Sequence, residues 1–482
     1  MYTGTICTLL SAALASGTET GPYDLSKEEL YGQQEIFNLR AERYHPYTEK
    51  SQSIIANFNG DEHIFVVYLT DKRKPKVLHI REGYETVDEN VGESWYAAFD
   101  NQNHHFSIGV DEEGYIHVAG DMNGYPFWPN DGGEPKYQRY HVDQYCMIWK
   151  SKAPLDVTAF EFVGDKKETS LAGTGFWNVK FINDLEKRLY ATYRVVTDPD
   201  EKKTGWGASW YDTKTKTWVG INGGLPDGES FSAVVTKDGE GLGGDRNVYG
   251  DMGFDRDNKM HISVGALTEA VGEESRPEGM SLFMDSVGYA SSENGGETLE
   301  RSDGSSCVAP LHLDKECNGH HMETVKKRKY LEAYVCVRGT VFDRPLVMVA
   351  APGADGRVDG STYFCSPEKN HDSCSSEGWK CYESDKIKNA YERWMVSDAL
   401  GVITIIDGKK LLRMWDADEM HEIEIGHGRI HPCQQYTYET GNFLSVTFSS
   451  EQSEGMSVIR TVLSRPMQYP MTGKALSFDR SN

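Results

Sequence analysis

Residues Asn101–Pro126 read NQNHHFSIGVDEEGYIHVAGDMNGYP, and the middle of this stretch decides the fold. Two short runs rich in β-branched residues, FSIGV and YIHVAG, flank an Asp-Glu-Glu-Gly turn, so the segment reads as a β-hairpin. The same shape recurs in IIANFNGDEHIFVVYL, VKFINDLEKRLYATYRV, MGFDRDNKMHISVGA, GTVFDRPLVMVAAP and LGVITIIDGKKLLRMWD. The turn aspartates Asp111, Asp184 and Asp255 lie about 70 residues apart, and such an interval suits a radial array of four-stranded units. The 482-residue length divided by that unit is about seven. Helical signals are sparse; LSKEELYGQQEIFNLRAERY, Leu25–Tyr44, has apolar residues at helical spacing and predicts a helix.

Composition narrows the classes of partner. Apolar residues are 38% and charged residues 26% of the chain, ordinary for a globular protein with a full core. The formal net charge of -24 repels polyanions, so nucleic acid is not an expected partner. An acidic glycan would need a locally basic pocket. No run approaches the ~20 apolar residues of a bilayer-spanning helix. The opening MYTGTICTLLSAALASG has an apolar centre and an Ala13-Leu14-Ala15 triplet, and residues 1–17 read as a signal peptide. No linker follows, so residues 18–482 read as one domain. Removing Cys7 with that leader leaves Cys146, Cys307, Cys317, Cys336, Cys365, Cys374, Cys381 and Cys433, an even set compatible with disulfides and export.

Further along, VGYASSENGGETLERSDGS, Val287–Ser305, ends a strand and turns on Asn and Gly residues, which accept left-handed backbone angles. It resembles the Asp-box hairpin of sialidase-like propellers, a structural feature at blade edges. With the segments from Asn101 to Val264, it makes the chain similar to the BNR-repeat propellers. These include the ulvan lyases of polysaccharide lyase families 24 and 25 and the related rhamnosyl-glucuronate lyases. The match runs in family order over Asn101–Ser305 and implies an all-β, seven-bladed β-propeller, each blade a four-stranded antiparallel sheet.

The resemblance also implies a chemistry. Those lyases cleave uronate-containing glycans by β-elimination, which needs a group to offset the carboxylate charge, a base for the adjacent proton and an acid for the leaving oxygen. The family supplies two histidines, a tyrosine and an arginine. Matched residue by residue, the first histidine falls on Asn103, the second on Asn123 and the tyrosine on Asn178. The arginine is kept as Arg194, and a further tyrosine as Tyr249. Asn exchanges no proton near neutral pH, and loss of an acid–base group costs roughly 10²–10⁴-fold.

Two readings follow. In the first, His104 or His105 and Tyr249 carry the protons, Arg194 pairs with the carboxylate, and Asn123 or Asn178 donates to it. In the second, the propeller binds glycan without cleaving it, through Asn103, Asn123, Asn178, Arg194 and the aromatics Tyr125, Trp177 and Trp206. A third class, a rhamnosidase-like glycoside hydrolase, needs two carboxylates across a pocket; Glu112, Glu113 and Asp121 are the candidates.

Other motifs receive structural readings. His117 and His261 hold equivalent positions after their turns and read as packed scaffold. ECNGHHMET, Glu316–Thr324, offers Cys317, His320, His321 and Glu323 as metal ligands, while disulfide bonding of Cys317 is the competing use. Cys365, Cys374 and Cys381 with His371 read as a stapled loop rather than a zinc site. The acidic turns DEEG and DPDEKK lack the spacing of a calcium loop. No cofactor is required by this chemistry, although a structural Ca or Zn fits the same residues. The VKKRKY run, Val325–Tyr330, is the one basic cluster and reads as a solvated edge, with an acidic-glycan contact as the sharper alternative. The expectation is a secreted, monomeric propeller acting on acidic polysaccharide.

Overall fold

The computed structural model describes residues 26, 29–39, 53–70, 75–81, 86–91, 106–120, 123–125, 147–164, 169–171, 176–198, 203–221, 233–236, 248–267, 283–309, 311–313, 319, 321–332, 335–340, 344–351, 361–368, 372–373, 378–384, 386–387, 395–397, 401–407, 410–416, 419–424, 430–432, 442–448 and 456–464. The leader read at residues 1–17 lies outside them. All six predicted hairpins form, as in the pairing of Phe106–Val110 with Ile116–Gly120 and of Val248–Phe254 with Met260–Leu267.

The described strands fall into seven sheets. Sheet I holds Ser53–Phe58, Asp61–Leu69, Pro75–Arg81 and Thr86–Asn90. Sheet II holds Phe106–Val110, Ile116–Gly120, Ile148–Ser151 and Phe160–Phe162. Sheet III is built on Asn123–Tyr125, Phe176–Asn183, Leu189–Asp198 and Lys203–Asp212. Sheet IV is built on Val248–Phe254, Met260–Leu267 and Phe283–Ser292, with Glu323–Glu332 along its side. Sheet V runs from Val335–Gly339 to Trp379–Ser384 and sheet VI from Met395–Ser397 to Glu419–Glu424. Sheet VII takes Ile430–Pro432, Asn442–Phe448 and Met456–Ser464 from the end of the chain and Glu29–Leu39 from its beginning.

Here the structure corrects the sequence reading. Residues 29–39, within the expected helix, form an antiparallel strand paired with Met456–Ser464 from Glu29↔Ser464 to Leu39↔Met456. Helical spacing is a weak signal beside a full ladder of backbone hydrogen bonds offered by a distant strand.

Each sheet packs against the next in chain order, from I to VII. The apolar core is divided accordingly. One cluster joins sheets I to III through Phe65, Phe106, Phe176 and Phe181. A second lies between III and IV around Trp206, Met252 and Phe254, and a third between IV and V around Tyr289, Val337 and Val347. Gly109 shows how close the approach is: a Cβ there would lie 2.6 Å from Leu189 Cδ1.

The turn aspartates explain the repeat. Asp111, Asp184 and Asp255 each accept, through Oδ1, the backbone N–H groups two and four residues ahead. Three residues past each aspartate stands a positive φ, held by Gly114, Lys187 and Asn258. The second carboxylate oxygen accepts from His117 Nε2 at 2.9 Å and from His261 Nε2 at 3.1 Å. Both histidines are fully buried, as scaffold residues should be. Asp184 has no histidine at that position but Tyr190, and burial pushes its carboxyl up. Asp255 meets the same burial, yet hydrogen bonding and charge from His261 hold it below the usual range.

Candidate functional site

The hairpin turns of sheets I to IV gather on one face of the molecule. Lys187 Nζ reaches Asn57 O, Leu185 N–H donates to Asn258 Oδ1, and Leu155 N–H donates to Gly114 O. The strands that enter these turns therefore begin on the opposite face. That is where Trp177, Asn178 and Tyr249 stand, near the starts of Phe176–Asn183 and Val248–Phe254. Arg194 returns to the same level, since its backbone partners are Trp177 on one side and Trp206 on the other. Asn123 is the next rung, opposite Trp177, and Tyr125 stands opposite Phe176. Asn103, His104 and His105 precede strand Phe106–Val110 and lie outside the described residues.

Among the described residues of the predicted group, Arg194 and Tyr249 are in side-chain contact. Arg194 Nη1 donates to Tyr249 Oη at 2.9 Å, and its guanidinium carbon sits 4.5 Å from the centre of the Tyr249 ring. The two come from sheets III and IV, so the contact bridges neighbouring sheets. Arg194 is 6% exposed while Tyr249 is partly open. Burial lowers the Arg194 pKa, and the Tyr249 oxygen acts the other way. Arg side chains stay protonated in proteins, so the result is a fixed cation in a low-dielectric setting, where its field on an incoming anion is strong.

Asn178 has a local reason for its identity. Its φ is 51°, and the register slips between Trp177 and Lys180, the mark of a β-bulge. Asn enters the left-handed region at lower cost than a bulky side chain.

Two residues beyond Tyr249, Asp251 is buried and accepts from Arg338 Nη1 at 2.6 Å and from Val337 N–H at 3.2 Å. Burial pushes this carboxyl up, but Arg338, Lys180 and the hydrogen bonds outweigh it and hold it below the usual range. This ion pair ties the Tyr249 strand to sheet V. Sequence reading missed it, although alternation along YGD places residues 249 and 251 on one side of the strand.

Several expectations change. Trp206, read as part of a sugar-binding surface, is 2% exposed, and a Cβ on Gly250 would lie 2.8 Å from its Nε1; it is core. Glu112 and Glu113 are exposed in the turn on the far face from Arg194. Asp121 lies outside the described residues. Glu323 is fully buried, with Oε1 accepting from Trp379 Nε1 at 2.7 Å and from Ser302 Oγ at 2.8 Å, which accounts for it as a structural anchor. Cys317 and His320 are outside the described residues, and among the described residues no three metal-ligating side chains gather. Cys365 and Cys381, directly opposite on paired strands, form a disulfide. Cys307 and Cys336 are buried thiols, pushed by burial up to about 11 and about 12.

No protein-family model matches the chain, and no curated protein matches it. Solved structures do. The crystal structure of polysaccharide lyase Uly1 superposes with a TM-score of 0.59 at 10% identity, over 90% of this chain and 99% of that chain. Looser likenesses include an alpha-L-arabinanase of Penicillium chrysogenum, with TM-score 0.35 at 8% identity over 91% of this chain and 98% of that one. Another is the Aleuria aurantia lectin, with TM-score 0.34 at 9% identity over 82% and 99%. The chain thus shares its all-β, propeller-like fold with a polysaccharide lyase.

Proposed function

We propose that this chain is a seven-bladed propeller, its ring closed by the pairing of Glu29–Leu39 with Met456–Ser464, that acts on uronate-containing polysaccharide by β-elimination. The observation that carries the reading is the buried Arg194 guanidinium held against Tyr249 where two sheets meet. A cation that burial has stripped of water is suited to a sugar carboxylate, and to the extra charge that carboxylate gains when its neighbouring carbon loses a proton. In the reaction a base removes that proton, a carbon–carbon double bond forms, and the glycosidic carbon–oxygen bond breaks as the leaving oxygen gains a proton. Tyr249, already in hydrogen-bond contact with Arg194, is one proton carrier, and His104 or His105 the other. Asn123 and Asn178 donate to the sugar, and Tyr125 and Trp177 line its path.

The competing reading is a glycan-binding propeller without turnover, and Asn at positions 103, 123 and 178 favours it. Incubation with ulvan and with rhamnosyl-glucuronate-capped glycans separates the two, because elimination creates an ultraviolet-absorbing unsaturated product. The lyase reading expects absorbance that drops at least about 100-fold in Arg194→Ala and in Tyr249→Phe. Binding of these glycans with no absorbance from the native protein overturns it in favour of the binding module.

A further inference from the structure

On the turn face of sheet I, away from Arg194, two imidazoles face one another. His63 stands near the start of Asp61–Leu69, just past the Asn59–Gly60 turn, and His79 near the end of Pro75–Arg81. They are diagonal neighbours, since His63 is opposite Arg81 and His79 opposite Phe65. His63 Nδ1 lies 2.9 Å from His79 Nε2, with ring centres 5.2 Å apart and planes inclined by 27°. Phe65 stacks on His79 at 4.3 Å. The two histidines are 6% and 4% exposed.

This contact works with one proton between the facing nitrogens. A neutral ring donates and the other accepts; a second proton there would set two N–H groups against each other. The surroundings also resist charge. Burial lowers the pKa of both rings, Arg81 adds repulsion to both, and the nearness of His63 lowers His79 further, to about 4. Asp61 in the same sheet favours protonation of His63, and Asp156, from the loop of sheet II that bonds to the Gly114 turn, favours protonation of His79.

We propose that His63 and His79 form an acid-sensitive latch that holds the strands Asp61–Leu69 and Pro75–Arg81 together at this end of sheet I near neutral pH and releases them on acidification. The sign follows from linkage. Both histidines are depressed in the folded state, so their stabilisation is complete above the unfolded value of about 6.5 and is lost as pH falls from there toward about 4. An opened state in which His79 titrates normally becomes about 20-fold more populated at pH 5 than at pH 7.

Hydrogen–deuterium exchange of the full chain at pH 7 and pH 5, corrected for the intrinsic rate, tests this. Protection over Asp61–Leu69 and Pro75–Arg81 is expected to fall about 20-fold, while Val335–Gly339 of sheet V holds. The double variant His63→Gln/His79→Gln, which keeps a hydrogen-bonding pair that cannot titrate, is expected to lose the local drop. Equal drops in both proteins, or no drop in the native one, overturn the latch. Should the variant fail to fold, NMR titration of the native imidazoles decides. Two inflections below 6.5 that track the exchange support the latch, and independent titration near 6.5 sinks it.

Discussion

Asp255 shows how much one residue can hold. Its carboxylate accepts two backbone N–H groups of its own turn and one from buried His261, whose other nitrogen meets Tyr289 Oη at 2.7 Å. Asp255→Ala leaves the buried His261 Nε2–H without its acceptor and removes both turn hydrogen bonds, and is expected to cost about 3 kcal/mol in urea unfolding. Asn178 is a different case. With φ at 51°, Asn178→Gly should leave stability within about 0.5 kcal/mol, while Asn178→Val should cost about 1–2 kcal/mol. Equal effects of the two substitutions would show that the backbone does not dictate this residue. The turn pattern was legible in the sequence because it is local: the aspartate, its turn and the residue six positions on are all within one hairpin. The Asn178 bulge was not, since a slip in register shows only against the partner strand.

At the scale of elements, the strand pair Ser361–Pro367 and Trp379–Ser384 carries the one disulfide among the described residues, between Cys365 and Cys381. The bond joins cysteines 16 positions apart in sequence, and the chain-entropy argument gives it about 3 kcal/mol. Cys365→Ala/Cys381→Ala is therefore expected to lower stability by that order in urea unfolding. Cys307 and Cys336 should by contrast resist thiol reagents until the protein unfolds, because burial keeps both thiols protonated. Rapid labelling of the native state would contradict their placement. The even cysteine count read as a disulfide framework did not distinguish these roles. Pairing depends on which strands become neighbours.

For the whole molecule, the join between chain ends matters most. Glu29–Leu39 supplies a strand to a sheet otherwise made from residues 430–464. Deleting residues 29–39 leaves the Met456–Ser464 edge unpaired, so the truncated chain is expected to melt lower and to aggregate, seen in calorimetry and light scattering. A truncated chain that melts like the intact one would show that this join is incidental.

What the sequence determined by itself is the local and the repeated: hairpins, their aspartate turns, and buried histidines in matching places. Those features need only neighbours within a few residues, and periodic apolar patterning states them directly. Tertiary structure decided the rest. It turned residues 29–39 from an expected helix into a strand, put Trp206 into the core rather than on a binding surface, and set Arg194 against Tyr249, 55 positions away. Each of those outcomes depends on which sheet packs against which, and backbone pairing and burial between distant segments outweigh the modest propensities a single sequence displays.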